Sequence, residues 1–318
     1  MNRTNAGEKL CLGVDVGGTN LRCALVAEDG AILARQSEAT DIASGRAGFL
    51  SRLITLLEGL KLEAGKRGAK VCAIGLGVPG LFSNEGVLRS SVNLVALEGL
   101  NLAHLVSQEI GVPVVALNDA NASAVGEQRF GAARPFASSL TLTLGTGVGS
   151  GLILDGRLWT GIDGVAGEFG HWTVEPQGRP CNCGNRGCLE QYASASAIAA
   201  LAQARGVQAI GGGALDAAQV AALARQGDPQ ALAVLNQAAT YLGIAIAGVI
   251  NLLNLEAVII GGGVSESFDL LYQPLCCEIQ QRAFAIPARR LSILKASLGN
   301  DAGVLGAAAT AWDLSCGT

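Results

Sequence analysis

The sequence predicts an α/β protein of two similar domains, and three observations carry that expectation. A block of strand, glycine turn, strand, Asp-Gly turn and strand occurs twice, as LCLGVDVGGTNLRCALVAEDGAILARQ and as SLTLTLGTGVGSGLILDGRLWTG. Each copy is followed by helix-patterned stretches and a further apolar strand, VCAIGLGVPG and EAVIIGGGVSE. The chain, with 318 residues of which 50% are hydrophobic, is also long enough for two cores, since single cores rarely grow beyond about 250 to 300 residues.

Within each block, Asp29-Gly30 and Asp155-Gly156 sit between apolar runs and signal hairpins. Residues 46–66 and 196–225 read as helices, the second interrupted by a Gly-rich stretch at 211–213. The uncharged span from Pro229 to Leu255 is long enough to cross a bilayer, for which roughly 20 apolar residues suffice. It carries Gln230, Asn236, Gln237, Thr240, Asn251 and Asn254, each costly in lipid, while Leu235, Ala239, Leu242, Ile246, Ile250 and Leu253 recur at helical spacing. A buried helix is the expectation.

Charge and composition narrow the partners. A net charge of -4, 15% charged residues, 4% aromatics and no Lys/Arg run give no nucleic-acid footprint, so a small molecule fits better. Met1 to Lys9 is polar and the apolar run from Leu10 is broken at Gly13 and Asp15, which leaves no export signal and points to the cytoplasm. Thiols stay reduced there, and nine cysteines are an odd number, which argues against a disulfide framework.

Cys11, Cys23 and Cys72 lie in apolar strand-like runs, where cysteine is usually a small buried hydrophobe. Cys276, Cys277 and Cys316 show no interpretable spacing. The stretch CNCGNRGCLE differs, because Gly184, Asn185 and Gly187 let the backbone fold tightly enough for Cys181, Cys183 and Cys188 to converge. His171, ten residues before Cys181, completes a Cys3His set suited to tetrahedral Zn2+. The alternative is a reduced thiol cluster beside an ordinary loop histidine. The other histidine, His104, falls in the amphipathic segment NLAHLVSQEI and reads as structural.

Both glycine turns, DVGGTN and LGTGVGSG, expose backbone amides that can cradle anionic oxygens. Neither is a Walker A loop, since no Gly-Lys-Ser/Thr follows. The stretch GLGVPG at 75–80 matches G-x-G-x-x-G, with Glu98 at about the distance of a ribose-binding acid. A dinucleotide site needs a helix to begin at those glycines, and the turn sequence LFSNEGVL that follows argues against it. Asp119, at a strand-to-helix junction in VVALNDANASAVGE, is the candidate general base for a substrate hydroxyl. The alternative is that it caps the helix, for which Asn118 and Asn121 would serve equally well.

In this order, DVGGTNLR, VVALNDANASAVGE, LGTGVGSG, GEFGHWTVEPQGRPCNCGNRGCLE and IIGGGVSE resemble the ROK family of bacterial sugar kinases and related repressors. The resemblance runs from about Leu10 to the helix after Asp301, and the histidine and cysteine segment is its most specific part. The glycine turns alone suggest only the wider actin-like ATPase superfamily. The resemblance implies two ribonuclease H-like (actin-like ATPase) domains with an active-site cleft between them, a smaller one of residues 1–118 and 301–318 and a larger one of 119–300 with the zinc loop. It implies ATP and Mg2+ as well. Asp15, Gly17, Gly18, Thr19 and Asn20 then face phosphate and magnesium, Gly145, Thr146 and Gly147 face phosphate, and Gly261, Gly262 and Gly263 face the adenosine.

Asn118, Asp119, Glu168, His171 and Glu190 fall on the sugar, with Asp119 as base, and Asn93 lies near it. His171 thereby has two duties, one ring nitrogen on zinc and the other toward a sugar hydroxyl. A closed four-ligand zinc site is structural rather than catalytic, which weighs against a zinc hydrolase. The expected substrate is glucose, phosphorylated at its 6-hydroxyl, with an N-acetylmannosamine kinase as the near alternative and a sugar-sensing regulator as the alternative of another class. Family repressors carry an added N-terminal helix-turn-helix, for which the nine residues before the first strand leave no room. A homo-oligomer, dimer or tetramer, is usual in the family.

Overall fold

The computed structural model describes residues 9–83, 85–209, 211 and 213–317. By its internal contacts the chain forms two compact units, the first of Met1–Arg134, Gly151–Ala166 and Asn300–Thr318, the second of Pro135–Ser150 and Gly167–Gly299.

In the first unit, strands β1 (Lys9–Val16), β2 (Asn20–Val26) and β3 (Ile32–Ala39) run antiparallel, and helix α1 (Gly45–Lys66) leads to β4 (Lys70–Val78), parallel to β1. The short pair β5 (Leu81–Phe82) and β6 (Leu88–Ser90) and helix α2 (Leu102–Ile110) precede β7 (Val114–Asn118), parallel to β4, and helix α3 (Asp119–Phe130). The sheet order is β3-β2-β1-β4-β7.

The same plan recurs. Strands β8 (Ser139–Leu144), β9 (Val148–Leu154) and β10 (Arg157–Leu158) are followed by helices α4 (Glu190–Ala193), α5 (Ala195–Ala204), α6 (Ala217–Arg225) and α7 (Pro229–Leu253). Then come β11 (Ala257–Gly261), α8 (Phe268–Arg282), α9 (Ala285–Arg290), β12 (Ser292–Lys295) and α10 (Ala302–Cys316). The second sheet has the order β10-β9-β8-β11-β12, with β8, β11 and β12 parallel. The duplication legible in the sequence is therefore a duplication of topology.

The two Asp-Gly turns are not equivalent. Asp155 and Gly156 both have positive φ, 50° and 77°, and join Leu154 to Arg157 directly, as a two-residue hairpin requires. At the first turn only Gly30 has positive φ, and Ala27 pairs with Ala31 around a longer loop. Helix α3 lies inside the first unit, because it packs along α10, where Gly306 lies against the Ala122 carbonyl with no room for a Cβ. The division at 118 and 119 expected from the sequence falls within that unit.

Strand alternation decides which face of β1 does what. Leu10, Leu12 and Val14 point into a core built with Phe49, Leu53, Leu57 and Leu60 of α1. Cys11, Gly13 and Asp15 point the other way, toward α10. Cys11 packs with Ala311 and Trp312, a Cβ on Gly13 would run into the Val304 carbonyl, and one on Gly303 would come within 3.1 Å of the Asp15 carboxylate. Gly75 on β4 is held equally close to the Ala307 carbonyl. Glycine at these positions lets a whole helix settle on the sheet with its first turn beside Asp15.

Helix α7 is long and apolar enough to cross a membrane by length and composition, but most of it is buried within the fold. Leu235, Ala239, Leu242, Ile246 and Ile250 are in the core as their spacing predicts, whereas Leu253 is partly exposed. The interruption expected at 211–213 separates α5 from α6, although Gly212 lies outside the described residues. No helix starts at GLGVPG, where the chain turns into β5, and the Glu98 carboxylate accepts a hydrogen bond from the Ser91 N–H at 2.9 Å. The dinucleotide reading has no structural support there.

Candidate active site

The predicted site residues of the first unit gather at the carboxyl ends of parallel strands, the edge at which open α/β sheets bind ligands. Asp15 is at the end of β1, Asn118 ends β7, and Asp119 opens α3. The Asn118 side-chain oxygen accepts hydrogen bonds from the Ala120 and Asn121 N–H groups at 2.9 and 3.1 Å, and its amide donates to the Gly80 carbonyl at 3.1 Å. Asn118 is thus the helix cap. Asp119 follows it as the acidic residue of the first helical turn.

Asp15 and Asp119 are close enough to repel. Burial, then the Asp119 charge, raise the Asp15 pKa to about 6, against the pull of Arg22, whose Nη1 lies 3.4 Å from Asp15 Oδ2. Two carboxylates crowded at one strand edge are an arrangement that a divalent cation relieves, and oxygen ligands of this kind suit Mg2+.

The first glycine turn closes with the Gly17 N–H donating to the Asn20 carbonyl at 2.9 Å. Gly18, Thr19 and Asn20 are exposed, and the Asn93 side chain lies within van der Waals contact distance of Gly18. Asn93, expected near the sugar, lies beside this turn.

In the second unit, Gly145, Thr146 and Gly147 follow the carboxyl end of β8, and Gly261, Gly262 and Gly263 that of its neighbour β11. Gly262, at φ 78°, lies so close to the Leu144 backbone that no Cβ fits. The two glycine segments are consequently neighbours. Glu190, the first residue of α4, reaches back to this edge, and its Oε2 accepts the Val148 N–H at 3.0 Å, beside Gly147.

The segment 168–190 folds as a knot. Cys188 bridges to Thr173, Pro180 to Arg186, and Gly187, at φ 71°, abuts the Glu175 carbonyl. His171 Nδ1 and Cys181 Sγ are 3.6 Å apart, as are Cys183 Sγ and Cys188 Sγ, and the four ligand atoms lie within 4.8 Å of one another. Ligands about 2.3 Å from a common tetrahedral centre would stand a little under 4 Å apart, so the donor set and its spacing fit zinc. The Gln191 amide donates toward Cys181 Sγ at 3.6 Å, a support of the kind that orients metal ligands. Burial and the neighbouring thiols push the Cys188 thiol up to about 12, a cost that a bound cation would invert.

The other face of the same imidazole meets a carboxylate. His171 Nε2 is 3.9 Å from Glu168 Oε2, and burial raises the Glu168 pKa, with His171 opposing and Glu190 adding to the rise. Glu168, His171 and Glu190 form one polar cluster, with Nδ1 turned to the thiols and Nε2 turned away. His104 takes no part. Its N–H is capped by Asn101 on α2. Three contributors were not foreseen from sequence. Gly303 touches Asp15, and Thr40 and Ser196 each donate to a glycine turn.

Such sites at the strand ends of a duplicated β-sheet plan define an actin-like ATPase fold of the sugar kinase type. The ROK family model matches residues 11–313, and the chain belongs to the ROK family. It is 37% identical over 307 residues to the glucokinase of Thermotoga maritima, covering 93% of this chain and 95% of that one. A ROK family glucokinase from Streptomyces griseus, solved with glucose and AMPPNP, superposes with a TM-score of 0.80 at 34% identity, over 96% of this chain and 99% of that one. A ROK family transcriptional regulator, homologous to the E. coli MLC protein, superposes with a TM-score of 0.85 at 30% identity, over 98% of this chain and 79% of the regulator.

Proposed function

We propose that this chain is an ATP-dependent glucokinase that transfers the γ-phosphoryl group of ATP to the 6-hydroxyl of glucose. The observation that carries the reading is Asp119, set at the strand edge so near Asp15 that its charge helps to raise the Asp15 pKa. In this reading the Asp119 carboxylate takes the hydroxyl proton as the sugar oxygen bonds to phosphorus and the bond to the ADP oxygen breaks. Likeness to glucokinases over nearly the whole chain supports the choice of reaction and sugar.

The remaining roles follow from chemistry. Glu168 and Glu190 accept hydrogen bonds from sugar hydroxyls, and the His171 Nε2 side serves a third, which suits an uncharged hexose. Asn118 and Asn93 complete the sugar contacts. The turns at Gly17 to Asn20 and Gly145 to Gly147 take phosphate oxygens through amides other than those of Gly17 and Gly145, which close the turns, and Gly261 to Gly263 lie along the adenosine. Asp15 would hold Mg2+, whose chemistry is to neutralise phosphate charge. His171, Cys181, Cys183 and Cys188 would hold Zn2+, which fixes the loop that carries Glu168 and Glu190. Thiolate ligands need a reducing compartment, so the enzyme belongs in the cytoplasm, where a homo-oligomer is the expected state.

A coupled ADP-release assay over hexoses and amino sugars tests the reading. Glucose should give kcat/KM at least about tenfold above N-acetylmannosamine, roughly 1.4 kcal/mol of transition-state discrimination. A reversed preference would assign an amino-sugar kinase with the same mechanism. No sugar-dependent ADP release at all would leave a sugar-sensing regulator.

A further inference from the structure

Two hydroxyl side chains donate to carbonyls of the two phosphate turns. In the first unit, Thr40 is fully buried immediately after β3. Its N–H donates to the Thr19 carbonyl at 2.8 Å and its Oγ1 to the Gly17 carbonyl at 2.6 Å, while Arg52 Nη1 secures the Thr40 carbonyl at 3.1 Å. In the second unit, the Ala195 N–H donates to the Gly145 carbonyl at 2.8 Å, and Ser196 Oγ donates to the Thr146 carbonyl at 3.0 Å. Each turn thus has two carbonyls taken by one backbone N–H and one hydroxyl, supplied by segments that are unrelated in sequence.

The physical consequence concerns peptide orientation. A turn that binds an anion must point its N–H groups at the ligand, and each N–H is fixed to the carbonyl of the same rigid peptide plane on the opposite side. A donor that holds the carbonyl from behind therefore fixes the amide in front. Without it, a flexible Gly-Gly or Thr-Gly peptide samples other orientations and gives up part of its binding energy to ordering.

We propose that Thr40 and Ser196 are positioning residues for the nucleotide phosphates, acting through the carbonyls of the two glycine turns. The inference rests on the kinase reading and adds to it two residues that never touch the substrate. Thr40 carries the larger share. Its hydroxyl is fully buried, so deleting it loses that bond outright, whereas water replaces the exposed Ser196.

The test is calorimetric binding of a non-hydrolysable ATP analogue and, separately, of glucose, with KM for each substrate measured alongside. Thr40→Val should weaken analogue binding by about tenfold and Ser196→Ala by about threefold, with glucose affinity unchanged, as loss of one hydrogen bond allows. Thr40→Ser, which keeps the hydroxyl, should restore binding to within about twofold. Should Thr40→Val fail to fold, Ser196→Ala on the surface and the Thr40→Ser comparison still decide the matter. Unchanged analogue affinity in the folded variants, or parallel loss of glucose affinity, overturns the proposal. Absence of ATP-dependent turnover in the unaltered protein would instead overturn the kinase reading.

Discussion

Glu190 Oε2 accepts the Val148 N–H at 3.0 Å, so a carboxylate from the cysteine-rich loop is bonded to the glycine turn that follows β8. One side chain is shared between the Glu168 and His171 cluster and a glycine turn. Glutamine keeps an oxygen that can accept this bond but loses the charge, while alanine loses both. Glu190→Gln should therefore raise KM for glucose about tenfold and leave KM for ATP near its original value, and Glu190→Ala should raise both. Steady-state kinetics with each substrate varied in turn would show it; equal behaviour of the two variants would refute the double role.

Asp119→Asn should lower kcat by about 100- to 10,000-fold with binding of glucose and nucleotide preserved. Helix α3 should be unaffected, since its cap is Asn118. The check is single-turnover phosphoryl transfer beside calorimetric binding, and full activity in the variant would strip Asp119 of its role as base.

Asp15 should make the protein less stable as pH rises. Its pKa of about 6 in the fold exceeds the unfolded value of about 4, so between these values the folded state binds more protons than the unfolded one. Stability contributed by the protonated form is then lost from about pH 4 to pH 6 and stays lost above. Two pKa units correspond to up to about 3 kcal/mol. Asp15→Asn should flatten that part of the profile and raise the melting temperature at pH 7.5 in the absence of nucleotide and Mg2+, while abolishing turnover. Thermal melts of both proteins from pH 4 to pH 8 are the measurement, and parallel profiles would contradict the prediction.

Purified protein should contain one zinc per chain, measured by plasma mass spectrometry without added metal. Cys183→Ser should lose the metal and lower the melting temperature, because metal affinity of such loops is coupled to their folding. Glucose affinity should fall with it, since Glu168 and Glu190 flank the knot at either end. Metal-free protein with full stability would reduce the four residues to a thiol cluster.

The parts that the sequence disclosed are those written as local spacing. The repeated strand and turn pattern, the histidine and cysteine set, and the failure of GLGVPG to open a helix can all be read within some thirty residues, and each appears in the structure. Capping was open among Asn118, Asp119 and Asn121 because all three side chains suit a cap, and only the backbone geometry at Asn118 selects it. Contacts between distant segments were not legible. Nothing near Asp15 announces Gly303, and nothing near Gly17 announces Thr40, since both meetings depend on sheet register and helix placement. Small residues at Gly303 and Gly306 were the available signal that this helix lies unusually close to its neighbours.

The glycine seam beneath α10 also sets an order of events during synthesis. Residues 302–316 leave the ribosome after every strand they cover, so the face of β1 and β4 that bears Cys11, Gly13, Asp15 and Gly75 stays open while the intervening residues are made and folded. Contacts this distant along the chain form late and slowly. A nascent chain stalled before Ala302 should therefore expose that sheet face to chaperones and to self-association, and Asp15 would acquire its buried environment only in the last step of maturation.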